Sequence, residues 1–214
     1  MRLILPENPF RDRKTVRLAV RLRHKGAQAV RKGHPWVFGD SVARLSREGK
    51  AGSVAVLYDE RSNSVLGAGL YDPDSMVRVK VLSFGVKNPP VGKALFLAGT
   101  AKALELRRPA LPPDTDAWRV IHGESDGFPG LVCDKYGDVL VLKLYSAAWT
   151  VWADEMMEAL TEQMPEIRRC VVRLSREVAS MPEGGSWCPD GSVFSCDGTP
   201  FDGRLGFLEN GIRF

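Results

Sequence analysis

The sequence predicts an α+β protein, with a small β-barrel over residues 1–85 and then, over residues 91–214, a unit of helices packed on a mainly antiparallel sheet. Three observations predict it. Short apolar runs of strand type crowd the first 85 residues, with turn residues between them. The stretch Asn88-Pro89-Pro90 interrupts that pattern as a linker, because proline fixes φ and restrains the residue before it. Beyond it, two helical periodicities are interleaved with further strand-like runs.

Taken in order, residues 1–14 are polar and contain prolines, and read as a partly disordered arm. Thr15 to Val20 alternate as a strand, and Gly26 to Lys32 form a short helix that Gly33 and Pro35 end. Val54 to Tyr58, Val65 to Tyr71 and Met76 to Leu82 are strands, separated by the turns at residues 59–63 and 72–75. Gly92 to Arg108 is a helix stopped by Pro109. Trp118 to His122, Leu131 to Lys135 and Val139 to Tyr145 are strands, the last two joined by a turn at residues 134–138. Trp149 to Met164 reads as one amphipathic helix. Arg169 to Leu174 and Ser192 to Cys196 are strands, and Leu205 to Phe214 a strand pair turning at Asn210-Gly211.

Composition narrows the function. The chain is 44% hydrophobic and 26% charged, ordinary for a globular protein, and has no apolar run near the ~20 residues a membrane span needs. A cytoplasmic protein without a membrane partner is expected. Cys133, Cys170, Cys188 and Cys196 show no zinc-ligand spacing and read as reduced buried thiols, so no metal is expected. Charge is uneven: residues 1–50 carry 13 Lys/Arg against 4 Asp/Glu, while the rest of the chain is net acidic. A basic segment of this kind neutralises phosphates, so the expected partner is nucleic acid; a solvated basic surface is the plain alternative.

Two motifs carry chemistry. Residues 31–44, RKGHPWVFGDSVAR, place Arg31 and Lys32 beside His34 and Trp36, with Arg23 and Lys25 close upstream. Cations hold phosphates, and an aromatic face stacks on unpaired bases. Trp36 and Phe38 could equally anchor the barrel core. Residues 123–134, GESDGFPGLVCD, bracket Ser125 between the carboxylates Glu124 and Asp126, in what reads as a tight structural turn. G-E-S-D-G formally matches a nucleophile elbow, but Pro129 opposes the helix that an elbow requires. The only Gly-x-Gly, Gly67-Ala68-Gly69, sits inside a strand pattern, so no nucleotide loop is recognised.

RKGHPWVFGDSVAR, LGAGLYDPDSMVRVKV, WRVIHGESDGFPGLVCDKYGDVLVLKLYSA and FLENGIRF, in this order, resemble the PUA-containing bacterial 23S rRNA cytosine-5 methyltransferases. The resemblance implies a PUA-like RNA-binding domain over 1–85 and an α+β middle domain over 91–214. It implies S-adenosylmethionine as cofactor of a full-length relative, with the chain ending before a Rossmann methyltransferase domain. The expected function is therefore the RNA-binding N-terminal portion of an rRNA methyltransferase, its catalytic domain missing, with no catalytic residue and no cofactor of its own. A standalone RNA-binding protein without enzymatic activity is the alternative. Arg23, Lys25, Arg31, Lys32, His34 and Trp36 are the expected RNA contacts, and Glu124, Ser125 and Asp126 a possible substrate-orienting loop. An apolar patch of Phe207, Leu208, Ile212 and Phe214 makes a homodimer a further expectation.

Overall fold

The computed structural model describes residues 2–85, 90–180 and 188–214; Asn88 and Pro89 of the expected linker lie outside them. The first half contains α1 (Arg11–Thr15), β1 (Arg17–Leu22), α2 (His24–Arg31), β2 (Trp36–Phe38), β3 (Val42–Leu45), β4 (Val54–Asp59), β5 (Val65–Tyr71) and β6 (Val77–Phe84). Six strands form one sheet in the order β2-β6-β5-β4-β1-β3, with β1 and β4 parallel. The two edge strands, β2 and β3, are joined only by the 3-10 turn Gly39–Ser41. Flat, such a sheet would hold its edges about 24 Å apart. The connecting residues reach roughly 14 Å. The sheet must therefore curl into a barrel, as the crowded short strands predict. Leu18, Val20 and Leu22 point to its interior, where α2 adds Ala27 and Val30.

The second half contains α3 (Lys93–Arg107), β7 (Ala117–His122), β8 (Leu131–Tyr136), β9 (Val139–Leu144), α4 (Ala147–Thr150), α5 (Ala153–Gln163), β10 (Arg169–Leu174), α6 (Arg176–Ser180), β11 (Val193–Ser195), β12 (Leu208–Glu209) and β13 (Ile212–Arg213). Five strands order as β11-β10-β9-β8-β7. β9 and β10 run parallel, so the sheet is mixed, its other three pairings being antiparallel. The cause is the crossover through α4 and α5, which returns the chain in its original direction. None of the described helices is long and apolar enough to cross a membrane.

Two expectations are corrected. The single helix from Trp149 to Met164 is two, α4 and α5, which start earlier and break at Val151-Trp152. The Ser146 hydroxyl caps α4 by accepting from the Ala148 N–H at 3.3 Å, and the Val151 carbonyl accepts the Asn8 side-chain amide at 2.8 Å. The arm is not disordered. Leu3 and Asn8 are buried, the Ile4 N–H donates to the Ser195 carbonyl at 2.9 Å, and the Lys14 ammonium bridges Asp154 at 2.7 Å and Glu155 at 3.0 Å. These contacts bind it to the second half.

The two halves share a core. Alternate residues of β4 and β5 feed two clusters: Ala55, Leu57 and Tyr71 the barrel interior, and Val54, Ala68 and Leu70 the cluster around Phe96, Trp149 and Trp152. At this seam the Trp152 indole N–H donates to the Gly52 carbonyl at 2.8 Å. Deeper in, the Lys80 ammonium meets Asp72 at 3.1 Å, and the Ser146 hydroxyl donates to the same carboxylate oxygen. Burial pulls Lys80 below its ordinary pKa, against the opposing pull of Asp72. Cys133, Cys170 and Cys188 are buried free thiols, and burial pushes Cys170 and Cys188 up to about 12.

Gly52 has φ +87°, and a Cβ there would fall 2.4 Å from a Val151 methyl and 2.5 Å from its Cβ. Backbone strain and overpacking act together, so Gly52→Ala is expected to cost roughly 2–4 kcal/mol in urea unfolding. A loss below about 0.5 kcal/mol would mean that the seam gives way freely.

Candidate nucleic-acid interface

The motif at residues 31–44 is built by the end of α2. Lys32 caps the helix, Gly33 turns with φ +83°, and the His34 N–H returns to the Ala29 carbonyl at 3.0 Å. The chain then enters β2, an edge strand, where Trp36 and Phe38 point away from the core and Val37 points into it. His34, Trp36 and Phe38 form an aromatic ridge: the Trp36 ring lies 5.9 Å from His34 and 6.1 Å from Phe38, both edge-on. Trp36 is 38% exposed and Phe38 39%, so neither is the core anchor that the plain reading allowed. Lys25, Lys32 and His34 line an open groove of about 560 Å³ beside α2.

The six expected contact residues divide into two groups. Lys25, Lys32, His34 and Trp36 share this surface. Arg23 and Arg31 have internal partners: Arg23 donates to the carbonyls of Asp40 and Val42, and Arg31 to the Asp59 carboxylate at 2.6 Å. Asp59 accepts in addition from the Arg61 and Ser62 N–H groups of its own turn. The Ser62 N–H, the Arg31 guanidinium and the Arg61 N–H bring its pKa down to about 2.

The Glu124–Asp126 loop is a 3-10 turn after β7, and its carboxylates serve different partners. Glu124 accepts the Trp36 indole N–H at 3.0 Å and the Gly130 N–H at 3.2 Å. Asp126 is gripped by both terminal nitrogens of Arg107, at 3.1 and 2.6 Å, and accepts the His122 N–H at 2.6 Å. Such holding is a positioning role, which fits the tight turn expected from the sequence. Ser125 lines a separate groove of about 520 Å³ with Gly99, Ala103 and Leu106. The His122 ring meets Arg119 at 3.2 Å, and the turn that holds Ser125 leads into β8 and not into the helix that a nucleophile elbow requires. Sequence reasoning missed the Trp36–Glu124 bond, whose partners stand 88 positions apart, and the Arg107 clamp; pairings this remote leave no local pattern.

Residues 20–84 match the PUA-like domain family. The chain is 40% identical over 203 residues to a protein of Deinococcus radiodurans named ribosomal RNA large subunit methyltransferase, spanning 92% of this chain and 48% of that one. It is 36% identical over 141 residues to the ribosomal RNA large subunit methyltransferase I of Alteromonas mediterranea, spanning 65% of this chain and 35% of that one. Among solved structures it resembles a Streptococcus mutans protein with an inferred SAM-dependent methyltransferase activity, with TM-score 0.72 and 16% identity over 92% of this chain and 47% of that one. A methyltransferase, likewise inferred, in complex with SAH matches with TM-score 0.71 and 17% identity. The chain spans about half the length of the curated relatives it matches.

These matches correct three expectations. The structural likeness runs along 92% of the chain, so the fold is one found in methyltransferases, and the expected absence of a methyltransferase domain is withdrawn. The reading as an RNA-binding portion whose catalytic domain is missing falls with it, because the 40% identity to a methyltransferase extends along nearly the whole chain. The expectation of no enzymatic activity in this chain, and the non-enzymatic alternative, are likewise withdrawn: a relative 40% identical over 203 residues is named a methyltransferase.

S-adenosylmethionine, the donor of such enzymes, needs an open loop to cradle it. Gly67-Ala68-Gly69 does not fit: it lies in β5, and a Cβ on either glycine would sit 2.1 or 2.0 Å from a carbonyl oxygen of β6. Those glycines serve close strand pairing.

Asp59 is stabilised as a carboxylate in the folded state, so its contribution is present above pH about 4 and is lost as pH falls through about 2. Asp59→Asn is expected to lower stability at neutral pH and to flatten the loss between pH 4 and 2, read by chemical denaturation at each pH. An acid profile identical to the parent would show that the turn and Arg31 do not hold the charge.

Proposed function

We propose that this chain acts as an enzyme of S-adenosylmethionine-dependent ribosomal RNA methylation in the large subunit, with the surface around α2 and β2 gripping the RNA. The observation that carries the reading is the 40% identity to a named rRNA methyltransferase along 92% of the chain. The PUA-like match over residues 20–84 and the groove of Lys25, Lys32 and His34 beside the Trp36 ridge support it. Lysines there neutralise phosphates, and Trp36 offers a stacking face worth about 1–3 kcal/mol per base.

Residues 1–85 form the RNA-binding domain and 91–214 the second domain. Arg23 and Arg31 shape the surface from behind, and Glu124 fixes Trp36 for stacking while Ser125 and Asp126 complete the loop that orients the substrate base. The base is cytosine, modified at C5, and the protein works in the cytoplasm. The exposed Ile212 and Phe214 are where a homodimer would close.

Deleting the gene is expected to remove one 5-methylcytosine from large-subunit rRNA, mapped by mass spectrometry; an unchanged methylation map overturns the activity. Lys25→Ala with Lys32→Ala is expected to lower affinity for a protein-free large-subunit rRNA transcript and to reduce its salt slope by roughly 1–2. An unchanged slope would move the RNA contact away from α2.

A further inference from the structure

We propose a second RNA contact on the outer face of the first sheet, a strip of Arg17, Arg21 and Arg44 that binds the phosphodiester backbone. It rests on the RNA reading above and extends it to a surface that shares no residue with the α2 groove.

The strip follows from strand geometry. Leu18, Val20 and Leu22 of β1 are buried in the barrel, so Arg17 and Arg21 alternate outward with Ala19. β3 pairs antiparallel with β1, and the register sets Arg21 directly opposite Arg44. Residues so placed share a face, with Cβ atoms about 5 Å apart, and like charges there destabilise the pair. Among the described residues neither cation meets a carboxylate. Arg21 donates to the Asn63 side chain and lies over the Tyr58 ring, 5.6 Å from its centroid, while Arg17 and Arg44 have no side-chain partner among the described residues. The β4 carboxylate nearest by register, Asp59, is paired with Leu22 in the ladder and already held by Arg31 and its own turn. On the same face the Ser46 hydroxyl accepts the Ala19 N–H at 2.9 Å, and Tyr58 stands beside Arg21 on β4. Along β1, Arg17 and Arg21 are about 13 Å apart. Uncompensated cations with a ring among them complement a polyanion that carries bases, which is the chemistry of an RNA strand.

The test uses the full chain and a protein-free large-subunit rRNA transcript, with binding measured across a series of salt concentrations. Three proteins are compared with the parent: Arg17→Ala/Arg21→Ala/Arg44→Ala, Arg21→Lys/Arg44→Lys, and Lys25→Ala/Lys32→Ala. The triple alanine variant is expected to lose about 2 from the salt slope, at ~0.7 per phosphate contact, and at least tenfold in affinity. Its thermal midpoint should hold or rise, since a like-charge pair is relieved, and the lysine variant should keep the parental slope. A triple variant that binds like the parent, while the Lys25/Lys32 variant is weakened, overturns the strip and leaves the RNA reading standing. A triple variant that self-associates with its RNA affinity intact also overturns it, and makes the arginines guards of the open β3 edge. A parent with no salt-dependent RNA binding overturns the RNA reading itself, and the strip with it.

Discussion

The seam where Trp152 reaches Gly52 sets the geometry of everything else. An indole N–H buried without an acceptor costs about 1–3 kcal/mol, so the Gly52 carbonyl fixes where α5 begins. Val151, one residue earlier, packs where a side chain at position 52 would otherwise stand. Lys80, Asp72 and Ser146 lock the same seam with charge. A buried ion pair adds little net stability but tolerates few arrangements, so it serves as a register pin between halves that apolar packing alone would let slide. With the halves pinned, Glu124 in one can hold Trp36 in the other.

Local structure was legible where its cause is local. The alternation of Val65 to Tyr71 and the run of Arg169 to Leu174 fix strands at the same bounds as the observed β5 and β10. The helix after the linker needs only its periodicity and Pro109 to be placed. What could not be read is long-range. The break at Val151-Trp152 exists because Asn8 and Gly52 take up groups there, and residues 8, 52 and 151 share no motif. The arm looks like a disordered tail because its burial depends on Asp154 and Glu155, which lie 140 positions away and more. The mixed sheet follows from a crossover, whose direction a strand pattern does not encode.

The candidate surface shows the same division. Cations and aromatics clustered in sequence mark the α2 and β2 region correctly as one place, because a helix end, a tight turn and a short strand keep neighbours together. Which cations are free is another matter. Arg23 and Arg31 look like Lys25 and Lys32 in the sequence, yet carbonyls and a carboxylate occupy them. The carboxylates Glu124 and Asp126 look alike in the sequence, flanking Ser125 in one turn, yet each holds a different element in place. The inference of a missing catalytic portion came from motif order and from the lack of a recognisable nucleotide loop. Similarity along nearly the whole chain to enzymes of rRNA methylation outweighs it.

The arm has a consequence for how the chain is made. Ile4 finds its partner at Ser195, and Leu3 is buried in the core cluster that also holds Trp149 and Phe194. On the ribosome those partners emerge long after the arm, about 10–40 s later at typical elongation rates. The barrel can close on its own strands in the meantime, but Leu3 stays uncovered until most of the chain has been synthesised. The last strand of the second sheet therefore covers the arm late, and pausing upstream of residue 195 lengthens the exposure of Leu3 to chaperones and proteases.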